Sequence, residues 1–178
     1  MLNDGTIVEL KIAEKEDYER GAYEYLYAWL SEVDHFLARR YAPADALEHK
    51  KRWLHTFDEN KTTLLGLHDG KIVASATLNL GDHTSRSAHT ASFGVAVHPA
   101  FQNKGLGRVL VRTLEEIARD KGVTKIEVNY YDGNPAASLY HSLGYRQEGR
   151  RIRKGKLDDG TYVDEILLYK FINEEVGP

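Results

Sequence analysis

One stretch constrains this chain more than any other: Val97-His98-Pro99-Ala100-Phe101-Gln102-Asn103-Lys104-Gly105-Leu106-Gly107-Arg108. Ahead of it, Ala88 to Val97 alternates as a strand. Ala91, Phe93, Val95 and Val97 lie on one face, and the small residues Ser92, Gly94 and Ala96 on the other imply that something lies close there. Behind it, Leu106, Leu110, Leu114 and Ile117 recur with charges between them, the pattern of an amphipathic helix up to Lys121-Gly122. Lys125 to Tyr130 then alternates again. A strand, a turn, a helix and a strand in that order make a parallel crossover, so the chain is not a bundle.

The remaining elements surround this unit. Thr6 to Ile12 reads as a strand, with an acidic helix start at Glu14 to Asp17. Two helices follow, one carrying Tyr23, Tyr27, Trp29 and Leu30 and one carrying Leu47, Trp53, Leu54 and Phe57, with breaks near Ser31 to Asp34 and at Ala42-Pro43. Thr62 to His68 and Lys71 to Leu80 form a hairpin around Asp69-Gly70, because both central residues of such a turn must tolerate positive φ. Pro135 to Leu143 is a short helix ending at Gly144, and Tyr145 to Lys154 with Tyr162 to Ile172 is a closing hairpin through Asp158-Asp159-Gly160. The expected fold class is α/β (mixed α+β): a mixed sheet of about seven strands in the order β-α-α-β-β-β-α-β-α-β-β, with helices on both faces.

At 178 residues, with no linker or repeat, a single domain over 1–178 is expected. A net charge of −3 argues against nucleic acid or anionic membrane as a partner. There is no cysteine, which excludes disulfides, thiolate catalysis and iron–sulfur ligation and fits a reducing compartment. The first residues lack a signal pattern and no stretch is apolar enough to span a bilayer, so a cytoplasmic protein is expected. The eight histidines, His35, His49, His55, His68, His83, His89, His98 and His141, show no His-x-x-x-His spacing, and no metal is expected.

The glycine turn admits two readings. Consecutive backbone N–H groups at a helix start, close approach at Gly105 and Gly107, and charge from Lys104 and Arg108 make an anion cradle suited to a pyrophosphate. The same residues also describe a well-capped helix after a strand. It is neither a dinucleotide fingerprint, since position 110 is Leu110, nor a Walker loop.

Gln102-x-x-Gly105-x-Gly107, followed by Asn134-x-x-Ala137-x-x-Tyr140-x-x-x-Gly144-Tyr145, resembles the GNAT superfamily of N-acetyltransferases over roughly Ile72 to Phe171. The ending, from Glu148-Gly149 to Asp164, is most similar to the branch acting on amino acids and related small amines. The resemblance implies acetyl-CoA as acyl donor, its pyrophosphate held by the backbone of Asn103, Lys104, Gly105, Leu106, Gly107 and Arg108, with Gln102 shaping the turn. It further implies that Val95, Ala96 and Val97 pair with the pantetheine arm, that Asn134 bonds that arm, and that Tyr140 sits near the sulfur. A homodimer is also within what the family implies.

On that footing, the backbone N–H of Val95 is the candidate donor to the developing oxyanion. Tyr140 is the candidate acid; with a reference pKa of about 10 against about 8.5 for a thiol, it stabilises the leaving thiolate by a hydrogen bond rather than by outright transfer. Many relatives place a glutamate where this chain has Ala91 or Ser92. A lysine amine costs about 4.6 kcal/mol to deprotonate at pH 7 and an α-amine about 1.4. The missing carboxylate therefore favours an α-amino acceptor, deprotonated through water.

His89 is an alternative base or acceptor contact, and Glu32 and Asp34 could hold the acceptor's ammonium. Tyr23, Tyr25, Tyr27, Trp29 and Phe36 either wall an apolar pocket or belong to the core. Arg150, Arg151, Arg153, Lys154 and Lys156 read as a charged guard on an edge strand. The expected activity is acetyl transfer to the primary amine of a small molecule, an amino acid or similar. The alternatives are a protein N-terminal or lysine acetyltransferase and a non-catalytic acyl-CoA-binding sensor.

Overall fold

The computed structural model describes residues 1–19, 26, 28–30, 37, 47–48, 50–51 and 60–173. In chain order these form β1 (Glu9–Ile12), α1 (Lys15–Glu19), β2 (Lys61–His68), β3 (Lys71–Leu80), β4 (Thr90–Val97), α2 (Leu106–Asp120), β5 (Lys125–Tyr131), α3 (Ala137–Ser142), β6 (Arg146–Lys156) and β7 (Tyr162–Phe171). The strands make one seven-stranded sheet in the order β1-β2-β3-β4-β5-β7-β6. Only the central β4–β5 pair is parallel. The crossover through α2 is therefore where the sheet changes sense, and every other contact is a hairpin or an antiparallel return.

Period-two alternation divides the sheet into two apolar faces. Leu110, Val111 and Leu114 of α2 and Tyr140 of α3 pack with Ala76, Leu78, Phe93, Ile126, Val128, Ile166 and Leu168 on one side. Tyr18 of α1 and the helical residues Leu26, Trp29 and Leu30 pack against Leu65 and Ile72 on the other. Trp29 is core: it is buried, and its Nε1 donates to the carbonyl of Ile72 at 3.1 Å. The hairpin between β2 and β3 turns on Asp69 and Gly70, with φ of 50° and 72°, which is why that dipeptide marks the turn.

Several expectations are corrected. Leu47, expected on a buried stripe, is 65% exposed. Ala88 and His89 lie in the turn before β4 rather than on it, because the Ala88 N–H bonds to Ser85 O at 3.1 Å and closes a local turn. The first strand begins at Glu9 rather than Thr6, since residues 2–6 form their own turn through Leu2 N–H to Thr6 O, 2.8 Å. Tyr23, Tyr25, Tyr27, Glu32, Asp34, Phe36, Trp53, Leu54 and Phe57 lie outside the described residues. No helix among the described residues is long and apolar enough to cross a membrane.

Candidate active site

The parallel pair at the centre of the sheet is short. β4 and β5 are joined only through Thr90 with Lys125, Ala91 with Ile126 and Ser92 with Glu127, and then they part. Beyond that point β5 stays paired with β7 to Tyr131, while β4 stays paired with β3 to Val97. A wedge opens between them.

Which backbone groups face the wedge follows from strand geometry, since each residue's N–H and C=O share an edge and edges alternate along the strand. The Thr90 carbonyl accepts from Gly81 and the His98 N–H donates to Val73 O, both 2.9 Å, so even-numbered positions face β3. The His89 carbonyl accepts from Thr124 at 3.0 Å, so odd-numbered positions face β5. Past Ser92 the C=O of Phe93, both groups of Val95 and the N–H of Val97 thus open into the wedge with no strand beside them among the described residues. The Val97 carbonyl is closed off by Gln102, whose Nε2 donates to it at 2.9 Å.

At the wide end of the wedge the chain turns into α2. Asn103 and Gly105 take positive φ, 58° and 89°, and Gly105 is the helix N-cap with no side-chain cap. The first turn's hydrogen bonding begins at Val109 N–H to Gly105 O, 3.2 Å. The N–H groups of Leu106, Gly107 and Arg108 are left as open donors, as at any uncapped helix start. Gly107 permits close packing on α3: a Cβ there would stand 3.1 Å from Leu139.

The two basic side chains are less free than their sequence suggests. Lys104 Nζ pairs with Asp4 at 2.9 Å, and that ion pair, with Asp4's bonds to Thr6, holds the Asp4 carboxyl below the usual carboxylate range. Arg108 reaches Ser142 at 2.7 Å. The cradle's attraction for an anion therefore rests on backbone dipoles more than on these side chains.

Asn134 stands in the turn that follows β5, its N–H donating to Tyr131 O at 3.0 Å, and Tyr140 of α3 packs beneath the sheet against Phe93 of β4. Asn134 Oδ1 accepts the Ala136 N–H at 2.9 Å and so shapes the entry to α3, leaving its Nδ2 without a partner among the described residues. Tyr140 is buried at 6% exposure, with ring centroids 5.9 Å from Phe93, 6.2 Å from Tyr130 and 6.1 Å from Tyr145. Burial pushes its hydroxyl up to about 12. No described residue accepts its hydroxyl proton.

The turn, the wedge and Tyr140 are thus brought together around β4. His89 is not: it stands at the opposite end of β4 from Val95, exposed, with Nδ1 3.1 Å from Arg86 O. Glu32 and Asp34 lie outside the described residues. On the face away from α2, Ser92 and Gly94 are exposed, and no described atom comes within 4 Å of a Cβ built on Gly94. Of these small residues, Ala96 packs against the second cluster, while Ser92 and Gly94 have no such contact among the described residues.

Two features escape the sequence reading. Asp4 comes onto the turn through a contact a hundred residues long in sequence. Glu165 is a carboxylate 5% exposed on β7, marked in the sequence only by its place on the face of β7 opposite Ile166 and Leu168.

A chain with this sheet, this wedge and this turn has recognisable relatives. The acetyltransferase (GNAT) family matches residues 23–145, and the chain belongs to that family. The L-amino acid N-acetyltransferase AaaT of Escherichia coli is 32% identical over 107 residues, covering 59% of this chain and 65% of that protein. The N-alpha-acetyltransferase RimI of Mycobacterium tuberculosis is 40% identical over 74 residues, covering 39% of this chain and 46% of that protein. The chain thus matches less than two thirds of the length of either. The YncA structure from Salmonella typhimurium, solved with acetyl-CoA, has the same fold, with a TM-score of 0.76 at 22% identity over 96% of this chain and 97% of that one.

Proposed function

We propose that residues 1–178 form one acetyltransferase domain that moves the acetyl group of acetyl-CoA to the primary amine of a small molecule, an amino acid or similar. The observation that carries this reading is the unpaired edge of β4 running into the uncapped start of α2. An extended amide-bearing arm fits beside such an edge as an added strand, and a pyrophosphate fits the open N–H groups at its end. Val95, Ala96, Val97, Gln102, Asn134 and residues 103–108 are the proposed donor site. Family membership and the relatives' names support the same assignment, and the absence of cysteine agrees with a cytoplasmic setting.

Bound acetyl-CoA would supply a thioester carbonyl as the electrophile. The Val95 N–H, fixed by the β3 pairing and aimed into the wedge, would donate to the carbonyl oxygen as it gains charge, without reorganising. The neutral amine nitrogen would bond to the carbonyl carbon, the carbon–sulfur bond would break, and the amine's proton would pass to water. Tyr140 would donate a hydrogen bond to the departing thiolate. With its hydroxyl raised to about 12, full transfer to a thiolate of ordinary basicity would cost on the order of 5 kcal/mol, so Tyr140 keeps its proton. Neither Ala91 nor Ser92 can act as base, which supports an α-amine acceptor.

A free-thiol release assay with acetyl-CoA against the amino acids, polyamines, aminoglycosides and short peptides, with calorimetric binding of acetyl-CoA alongside, tests this. Turnover on a free α-amine is expected. Binding without turnover on any small amine would shift the reading to a protein substrate, which the likeness to RimI favours as the second reading, or to a sensor. No binding would overturn the donor site.

A further inference from the structure

Asn129 of β5 stands at the mouth of the wedge, and the chemistry above does not use it. Ile126 and Val128 are buried in the core under α2, so by alternation Glu127 and Asn129 point to the opposite face, the one that carries Ser92 and Gly94. β5 has two edges at this level. One is taken by β7, where Asn129 pairs with Leu167, and the other borders the wedge, since the last pair with β4 is Ser92 with Glu127. Continuing that register by two residues sets Asn129 level with Gly94, across the gap from it and beside Val95.

The Asn129 amide is held in one orientation. Its Nδ2 donates to one oxygen of Glu165 at 2.6 Å, and Arg151 donates to the other oxygen at 2.7 Å. Ion-paired in this way, Glu165 offers acceptors only, so it takes the NH2 end of the amide and not the oxygen end. Glu165 belongs to β7, so the NH2 end turns toward β7 and Oδ1 turns away from it, to the side on which the wedge lies. No described residue donates to Oδ1. Glu165 itself is buried, a costly placement for a carboxylate that one exposed arginine does little to offset. What the placement achieves is an amide oxygen aimed from a strand toward the gap beside Gly94 and Val95.

Resting on the acetyl-transfer reading, we propose that Asn129 Oδ1 accepts a hydrogen bond from the acceptor's amine, with Glu165 as the positioning residue that keeps that oxygen facing the wedge, and that the pair selects primary amines. Buried Tyr140 and α2 fill the core face at the wedge, so the acceptor enters from the face on which Ser92, Gly94 and Asn129 are exposed. A primary amine brings two N–H bonds. As its nitrogen bonds to the thioester carbon and the carbon–sulfur bond breaks, one of its protons leaves to water. The other N–H survives in the product amide, and this is the one that Asn129 holds. A secondary amine has a single N–H and must surrender it, so it cannot keep the bond through the reaction. An amide oxygen also carries no charge, so it grips the neutral amine without favouring the ammonium form as a carboxylate would.

The test is steady-state thiol release with acetyl-CoA, using the L-amino acid that the wild type uses best and the N-methyl derivative of that amino acid. Each variant is compared with wild type on the same acceptor, so differences in amine pKa cancel. Asn129→Ala is expected to lower kcat/KM at least tenfold for the amino acid and less than about threefold for the N-methyl acceptor, with the calorimetric Kd for acetyl-CoA within about twofold of wild type. Glu165→Gln, whose side-chain amide can receive either end of Asn129, should lower kcat/KM for the amino acid about three- to tenfold alone and not at all on top of Asn129→Ala. A purely structural Glu165 would cost the same in both backgrounds. Thermal melts accompany each variant; Asn129→Ser and Glu165→Asp, which also give up the bond, replace any variant that does not fold. Should the N-methyl acceptor give no measurable turnover, the two-residue cycle decides alone. No loss on the amino acid, equal losses on both acceptors, or additive losses in the double variant would overturn this role of Asn129 and leave acetyl transfer standing. So would a matching loss of acetyl-CoA affinity, or a wild type that prefers the N-methyl acceptor. A wild type that binds acetyl-CoA and acetylates none of these amines would remove the small-molecule reading and this inference with it.

Discussion

Tyr140 owes its properties to what surrounds it. Phe93, Tyr130 and Tyr145 enclose its ring, and burial raises its hydroxyl to about 12. The proton therefore stays on through the whole range in which amines lose theirs. Tyr140→Phe is expected to lower kcat by roughly ten- to a hundredfold while the Kd for acetyl-CoA, measured calorimetrically, moves by less than about twofold. The sign of the pH dependence follows. A raised tyrosine remains neutral as pH climbs, so the wild-type kcat profile should rise with deprotonation of the acceptor and show no falling limb below about pH 10. A falling limb centred near pH 9 would assign the acid to another group. At this scale the family resemblance singles out Tyr140 and Asn134 as proposed site residues, and nothing in the sequence marks the contacts of Glu165 or Asp4. Each of those contacts joins distant segments, Glu165 with Asn129 and Arg151 and Asp4 with Lys104, and no local pattern encodes it.

Among the elements, the turn into α2 is the most sensitive to change. Gly105 has φ of 89°, and a Cβ there would stand 3.2 Å from Asn3 Oδ1. Gly105→Ala should cost about 1–2 kcal/mol from the left-handed backbone alone, seen as a fall in Tm of roughly 2–8 °C. It should also weaken acetyl-CoA binding, because the open N–H groups move with the turn. At β6 a different constraint acts: a Cβ on Gly155 would lie 2.9 Å from both the Tyr131 ring and Val163. Gly155→Ala is expected to destabilise by about 1–3 kcal/mol through overpacking. Element types were legible because alternation and the Asp-Gly turn are local signals. Their ends were less so. Ala88 and His89 alternate like strand residues but are held by a turn, and β6 carries register shifts between Gln147 and Gly149 and between Arg151 and Gly155 that no periodicity announces. The second shift is fastened by Asp164, whose carboxyl accepts from the Arg153 N–H at 2.6 Å and from Arg150 at 2.6 Å, and these bonds hold it below its ordinary pKa.

For the molecule as a whole, α2 is tied to β7 across its own face of the sheet by Glu115, buried at 3% exposure. It accepts from Tyr145 at 3.0 Å and from Lys170 of β7 at 2.8 and 2.9 Å. Glu115→Gln leaves Lys170 without its counter-charge and should cost about 2–3 kcal/mol, read as a loss of several degrees in Tm. Binding of acetyl-CoA should be nearly unchanged, since Glu115 lies behind Tyr145 and away from the wedge. The wedge itself has a consequence for how such a chain can drift over generations. The groups that β4 offers are main-chain atoms, so exchanging Val95 or Val97 for isoleucine or alanine alters the packing beneath but not the pattern presented. Only proline, which has no N–H to give, erases a contact at those positions. Selection for these main-chain contacts therefore acts against a single residue type, and lineages can exchange one apolar side chain for another in this strand while keeping the same slot open for the same donor.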